Sequence, residues 1–143
     1  MIYLHTSFLT PLFREEATTA KVAKFLSRQS PGTLAVSTWA SVEFASLISR
    51  DVRMGAITAS QGRKLIAEFA SMMATSLVIL IPNARAFDLA REYVAQFATQ
   101  LRAPDALHLA VAHINAAASV ATLDNGMLAA AKKLKIPAQR MIR

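Results

Sequence analysis

Four short apolar runs, separated by stretches long enough for helices, constrain this chain more than any other feature. They are Ile2-Tyr3-Leu4, Leu34-Ala35-Val36, Leu77-Val78-Ile79-Leu80-Ile81 and Val120-Ala121-Thr122-Leu123. Runs this short, bounded by polar or turn residues, read as buried strands. The third, β-branched and closed by Pro82-Asn83, is the clearest. Between them the spacing of apolar residues predicts helices over about 17–28, 39–52, 58–75, 84–98, 103–116 and 127–134, with a helical turn within 8–13. Ser37 or Thr38 is placed to cap the third helical segment and Thr58 the fourth. Ile136-Pro137 leads into a short tail strand. Strands alternating with helices imply an α/β fold, a three-layer sandwich around a short parallel central sheet. No linker, repeat or low-complexity stretch divides it, so residues 1–143 read as one domain.

The stretch Leu101-Arg102-Ala103-Pro104-Asp105-Ala106-Leu107-His108-Leu109-Ala110-Val111-Ala112 stands out within this frame. Pro104 suits a first helical turn, where its missing N–H costs nothing. Asp105 falls in the same turn, where the helix dipole favours a carboxylate. The residues after Asp105 are apolar almost all round, the mark of a buried helix. An acid at the mouth of a buried helix needs a partner or a cation.

Composition narrows the function classes. Apolar residues make up 54% of the chain, and the mean hydropathy is +0.35. No run approaches the ~18 uncharged apolar residues a membrane span requires, so the excess points to a buried homodimer or partner surface. Met1-Ile2-Tyr3-Leu4 runs directly into a strand, unlike a signal peptide. The absence of cysteine excludes disulfides and thiolate metal sites and fits a cytoplasmic protein. A formal net charge of +7 favours a polyanionic partner such as nucleic acid, although the basic residues are scattered.

Most of the nine acids have a basic neighbour. Glu68 follows Lys64 by one turn, and Asp88 lies between Arg85 and Arg91. Glu15, Glu16 and Asp51 sit beside Arg14, Arg50 or Arg53, and Glu92 adjoins Arg91. Glu43 and Asp124 have no base three or four residues away, and Asp105 has only Arg102. Asp105 opens a buried helix, Asp124 closes a strand, and Glu43 comes soon after a strand end. In a parallel sheet such positions can converge on the carboxyl edge, where α/β proteins bind ligands. Clustered carboxylates raise one another's pKa unless a cation intervenes. Oxygen donors of this kind suit Mg²⁺ or Mn²⁺. The plain alternative is separate capping and surface roles.

Four segments together resemble the PIN-domain family, most closely its VapC-type toxins. They are Ile2-Tyr3-Leu4-His5-Thr6-Ser7-Phe8-Leu9, Ser37-Thr38-Trp39-Ala40-Ser41-Val42-Glu43-Phe44, Pro104-Asp105-Ala106-Leu107-His108-Leu109-Ala110-Val111-Ala112 and Ala121-Thr122-Leu123-Asp124. Their order and spacing carry the resemblance, which spans nearly the whole chain. It implies a metal-dependent endoribonuclease in which Glu43, Asp105 and Asp124 hold Mg²⁺ or Mn²⁺. Thr6, Ser7 and Thr122 match supporting polar positions, and Asn125 stands in the region where many members carry a further acid.

The departure is His5, at the position of the family's first-strand Asp. Histidine supplies neither the charge nor the oxygen that Mg²⁺ prefers, so the resemblance implies impaired activity. A single-base change from Asp that weakens a toxic activity is one explanation; a native histidine with altered metal preference is the other. The family also implies a cognate antitoxin, laid on an apolar groove between the second and fourth helical segments. Arg14, Arg50, Arg53 and Arg102 are candidates for holding an RNA backbone. His108 reads as a hydrogen-bonded helix histidine, and His113 has no constellation around it. Trp39, Phe44, Phe87, Tyr93 and Phe97 read as core or dimer-interface residues. Two rival classes remain. One is a catalytically silent PIN fold that binds RNA or antitoxin. The other is an α/β phosphotransferase with a strand-end Asp nucleophile, against which His5 argues.

Overall fold

The computed structural model describes residues 1–143. Five parallel strands form one sheet in the order β3-β2-β1-β4-β5. β1 (Ile2–Leu4) lies at its centre, flanked by β2 (Leu34–Ser37) and β4 (Ser119–Ala121), with β3 (Val78–Leu80) and β5 (Ala138–Gln139) at the edges. The helices are α1 (Thr6–Leu9), α2 (Thr19–Leu26), α3 (Trp39–Arg53), α4 (Ala59–Ser76), α5 (Ala84–Ala95), α6 (Ala103–Ile114) and α7 (Asn125–Lys133).

The strand period of two divides the core into two layers. Tyr3 and Val120 point to one face and pack with Ala90, Tyr93, Leu109 and Met127 of α5, α6 and α7. Leu4, Val36 and Ala121 point to the other and pack with Phe8, Val22, Phe44, Ile48 and Phe69 of α1 to α4. Phe44 stacks on Phe69 with ring centroids 4.1 Å apart, which ties α3 to α4. Every residue of α6 from Ala106 to Ala112 is buried, as its all-round apolar sequence requires.

After β1 the chain builds outward through β2 and β3, then returns to β4 on the opposite side of β1. The switch in direction leaves a crevice beyond the carboxyl ends of β1 and β4, the position at which open α/β sheets bind ligands.

Several details differ from the sequence reading. The Leu77–Ile81 run is an edge strand rather than a buried one. It pairs only with β2, and Val78, Ile79 and Ile81 are 36%, 38% and 76% exposed. Its composition is the same for a covered or an uncovered strand, so only the sheet order separates the two. The helix expected to 98 ends at Ala95 and gives way to a 3₁₀ turn over Phe97–Thr99; Gln100 then adopts φ 55° to turn the chain into α6. Neither Ser37 nor Thr38 caps α3 with its side chain, because the Ser37 hydroxyl is buried against Tyr3. Thr58 does cap α4, in a reciprocal capping box with Gln61. Phe44 and Tyr93 are core residues and Trp39 is half-buried, whereas Phe87 and Phe97 are 56% and 86% exposed.

Candidate functional site

His5 comes directly after the last residue of β1, and its N–H donates to the Ala121 carbonyl at 3.0 Å, extending the ladder toward β4. The ring is buried. Nδ1 lies 2.9 Å from both Ser7 Oγ and Thr122 Oγ1. Nε2 points to Asp105, 3.4 Å from Oδ1. The α6 helix places Asp105 there through its first turn, with Arg102 3.8 Å from its other oxygen.

A second histidine lies beneath the first. His108, one turn after Asp105, is fully buried, with its ring centroid 4.6 Å from that of His5. Its Nδ1 meets the Tyr3 hydroxyl at 2.6 Å, and Tyr3 in turn donates to Ser37 Oγ at 2.9 Å. Its Nε2 meets Glu43 Oε1 and lies 3.2 Å from Thr6 Oγ1. The Thr6 hydroxyl donates to the same Glu43 oxygen at 2.6 Å. Sequence reasoning placed His108 in a hydrogen bond but not Tyr3 beside it; Tyr3 reads as a plain strand aromatic until β1 and α6 are seen in contact.

Asp124 ends the loop after β4 and caps α7, Oδ1 accepting from the Met127 N–H at 2.8 Å. His5, Thr6, Ser7, Glu43, Asp105 and Asp124 all line one open cavity of about 490 Å³. Glu16 and Arg102 share its wall; Glu16 has no sequence signal that distinguishes it from other surface acids. Thr122 is fully buried behind Ser7, and its Oγ1 accepts from the Asp124 N–H at 3.1 Å. Asn125 is exposed and accepts a hydrogen bond from Arg140 at 2.8 Å; it does not line the cavity.

The electrostatics derive from these contacts. Burial alone pushes Glu43 upward, but the hydrogen bond and charge of His108, with the Thr6 hydroxyl, outweigh it and hold the carboxyl below its ordinary range. Asp105 is likewise held low: burial opposes ionisation, and the contact with His5 and the charge of Arg102 overcome it. Burial pushes the His108 imidazole down and the Tyr3 phenol up. Glu43 and Asp105 thus line the cavity as partly buried carboxylates held toward their charged form, an arrangement that attracts a cation. His5, Glu43 and His108 each offer a ligand atom within 4.8 Å of the others. Both nitrogens of His108 are already engaged, by Tyr3 and Glu43, so it orients Glu43 rather than facing the cavity.

The sequence profile of the PIN domain matches residues 2–133. The chain belongs to the PIN-domain family. Solved structures of similar fold include the VapC20 toxin of Mycobacterium tuberculosis, described as sarcin–ricin loop cleaving, at a TM-score of 0.75 and 18% identity. That match covers 91% of this chain and 95% of VapC20. FitAcB from Neisseria gonorrhoeae matches at a TM-score of 0.68 and 17% identity over 96% of both chains. VapBC-1 from nontypeable Haemophilus influenzae matches at 0.68 and 17% over 97% of both. A comparison with curated proteins finds no match. The α/β architecture with a five-stranded parallel sheet is thus the fold shared with the VapC structures. No helix of this PIN domain is long and apolar enough to cross a membrane.

Proposed function

We propose that this PIN domain is a metal-dependent endoribonuclease toxin of the VapC type, held in check by a cognate antitoxin. The supporting observation is the placement of Glu43, Asp105 and Asp124 around one cavity beyond the strand ends. Likeness to VapC20 adds the reaction class: that protein is described as a toxin that cleaves the sarcin–ricin loop.

The donor set fits a divalent cation. Glu43 spends Oε1 on Thr6 and His108, and Asp124 spends Oδ1 on the α7 cap, which leaves each a second oxygen. With Asp105 and His5 they would hold Mg²⁺ or Mn²⁺, which supplies water activation and charge neutralisation at a phosphodiester. The protein's own part is to fix these groups. Thr6 and His108 set the Glu43 carboxylate, and Ser7 and Thr122 set the His5 ring.

For substrate, Arg50, Arg53 and Arg102 line a groove that also contains Glu43 and Asp105. These side chains would hold the RNA backbone where it enters the site. Arg14 contributes less, because Asp51 engages it at 3.1 Å. For the antitoxin, Leu26 of α2 and Met72 of α4 flank a groove of about 610 Å³ continued by Leu34 and Leu77. The similar FitAB and VapBC2 structures are bound to DNA fragments. For a homodimer, the exposed Phe87 and Phe97 line an apolar groove with Trp39, Val94 and Leu107.

His5 favours a second reading, a catalytically weakened PIN fold that binds RNA or antitoxin. Cleavage of a panel of structured RNAs in Mg²⁺ and Mn²⁺ separates the two. The chain is compared with His5→Asp, and with His5→Asp/Asp105→Asn as control. Cleavage by His5→Asp but not by the double variant supports the nuclease. Binding with no cleavage by any of them leaves the binding module.

A further inference from the structure

The hydrogen bonds around His5 determine which nitrogen faces the acids. Ser7 Oγ accepts from the Leu123 N–H at 3.0 Å, and Thr122 Oγ1 accepts from the Asp124 N–H at 3.1 Å. The two hydroxyls lie 3.1 Å from each other and 2.9 Å from His5 Nδ1. These contacts fix the plane of the ring whether Nδ1 donates to a hydroxyl or accepts from one. Nε2 faces Asp105 Oδ1, 3.4 Å away. From there it can donate a proton to the carboxylate or, without that proton, offer its lone pair to a metal ion.

This is the arrangement of an imidazole ligand whose far nitrogen is fixed by hydrogen bonds. Its chemistry differs from a carboxylate at the same place. Mg²⁺ demands oxygen donors, whereas Mn²⁺, Co²⁺ and Zn²⁺ accept imidazole nitrogen. We infer that the His5–Asp105 pair makes this centre selective for an imidazole-accepting transition ion over Mg²⁺, with Ser7 and Thr122 as positioning residues for the ligand nitrogen. The inference rests on the reading of this cavity as the metal centre. It makes His5 a change of metal preference rather than a loss of the site.

The test is equilibrium binding of Mg²⁺, Mn²⁺, Co²⁺ and Zn²⁺ to the metal-stripped chain by calorimetry, with the visible absorption of bound Co²⁺ as a second readout. Many sites bind Zn²⁺ more tightly than Mg²⁺, so the decisive quantity is the change in ratio on substitution. His5→Asp is expected to lower the Zn²⁺-to-Mg²⁺ affinity ratio by about tenfold or more and to shift the Co²⁺ spectrum. Ser7→Ala, which leaves every ligand in place, is expected to weaken Zn²⁺ binding by about tenfold and Mg²⁺ binding far less. Circular dichroism confirms that each variant is folded. An unchanged ratio in His5→Asp overturns the inference. So does a chain that binds no transition ion while His5→Asp binds Mg²⁺ and cuts RNA, and the nuclease reading then stands. If neither protein binds any divalent ion, the inference and the nuclease reading fall together.

Discussion

Glu43 of α3 and His108 of α6 meet beneath the cavity, carboxylate to imidazole, although 65 residues separate them in the chain. The contact joins the two helical layers at the carboxyl end of β1. Thr6 braces it from one side and Tyr3, through Nδ1 of His108, from the other. His108→Ala removes a fully buried side chain and leaves the Tyr3 hydroxyl without this partner. A loss of about 3 kcal/mol in unfolding free energy is expected from urea titration. Tyr3→Phe removes only the hydroxyl and is expected to cost about 1 kcal/mol.

The metal-free chain is expected to lose stability as pH falls. Glu43 and Asp105 have folded pKa values below their ordinary ones, so the unfolded chain binds more protons and acid favours it. Burial depresses His108 in the same sense. The unfolded histidine takes up its proton near pH ~6.5, so the decline begins there. It steepens below about pH 4.5 as the unfolded carboxylates protonate. Thermal melts in chelator from pH 8 to pH 4 check it; a midpoint that rises on acidification contradicts the burial of these groups.

Arg50→Ala combined with Arg53→Ala is expected to weaken RNA binding equally across sequences. Both line the groove beside Glu43 and Asp105. Each phosphate contact to single-stranded RNA adds about 0.7 to the slope of log affinity against log salt. The double variant should therefore flatten that slope by about 1.4 if each arginine holds one phosphate. An unchanged slope places the RNA elsewhere.

Phe97 is 86% exposed at the end of an apolar groove. Phe97→Asp introduces a charge there without touching the core. Sedimentation is expected to show a dimer converting to monomer, with the circular dichroism spectrum unchanged. A monomer in both proteins assigns the groove to a different partner.

Gly62 of α4 is buried against Ile48 and Val52 of α3. A Cβ there would lie 2.8 Å from Val52 Cγ2 and 3.2 Å from Ile48 Cγ2. Gly62→Ala gains about 1 kcal/mol of helix propensity, but forcing the two helices apart costs about 1–3 kcal/mol. The expected net result is a melting temperature lowered by a few degrees.

What the sequence determined by itself is local in origin. The apolar runs and helical periods place the strands and helices, because their signals repeat within a turn or a strand. Pro104 and Asp105 announce the start of α6 from adjacent positions. Glu43 and Asp124 stand out because neither has a base one turn away, and Asp105 because it has only Arg102, which can be counted along the chain. Tertiary structure alone decided the rest. The Leu77–Ile81 run became an exposed edge because the chain returned past β1 to build β4 instead of covering β3. Asn125 turned to Arg140 because α7 begins at that residue and carries it away from the strand end. The nitrogen that His5 presents to Asp105 depends on two hydroxyls, one of them 117 residues away. Such contacts leave no periodic trace, because a hydrogen bond across the sheet requires only that its partners meet in space.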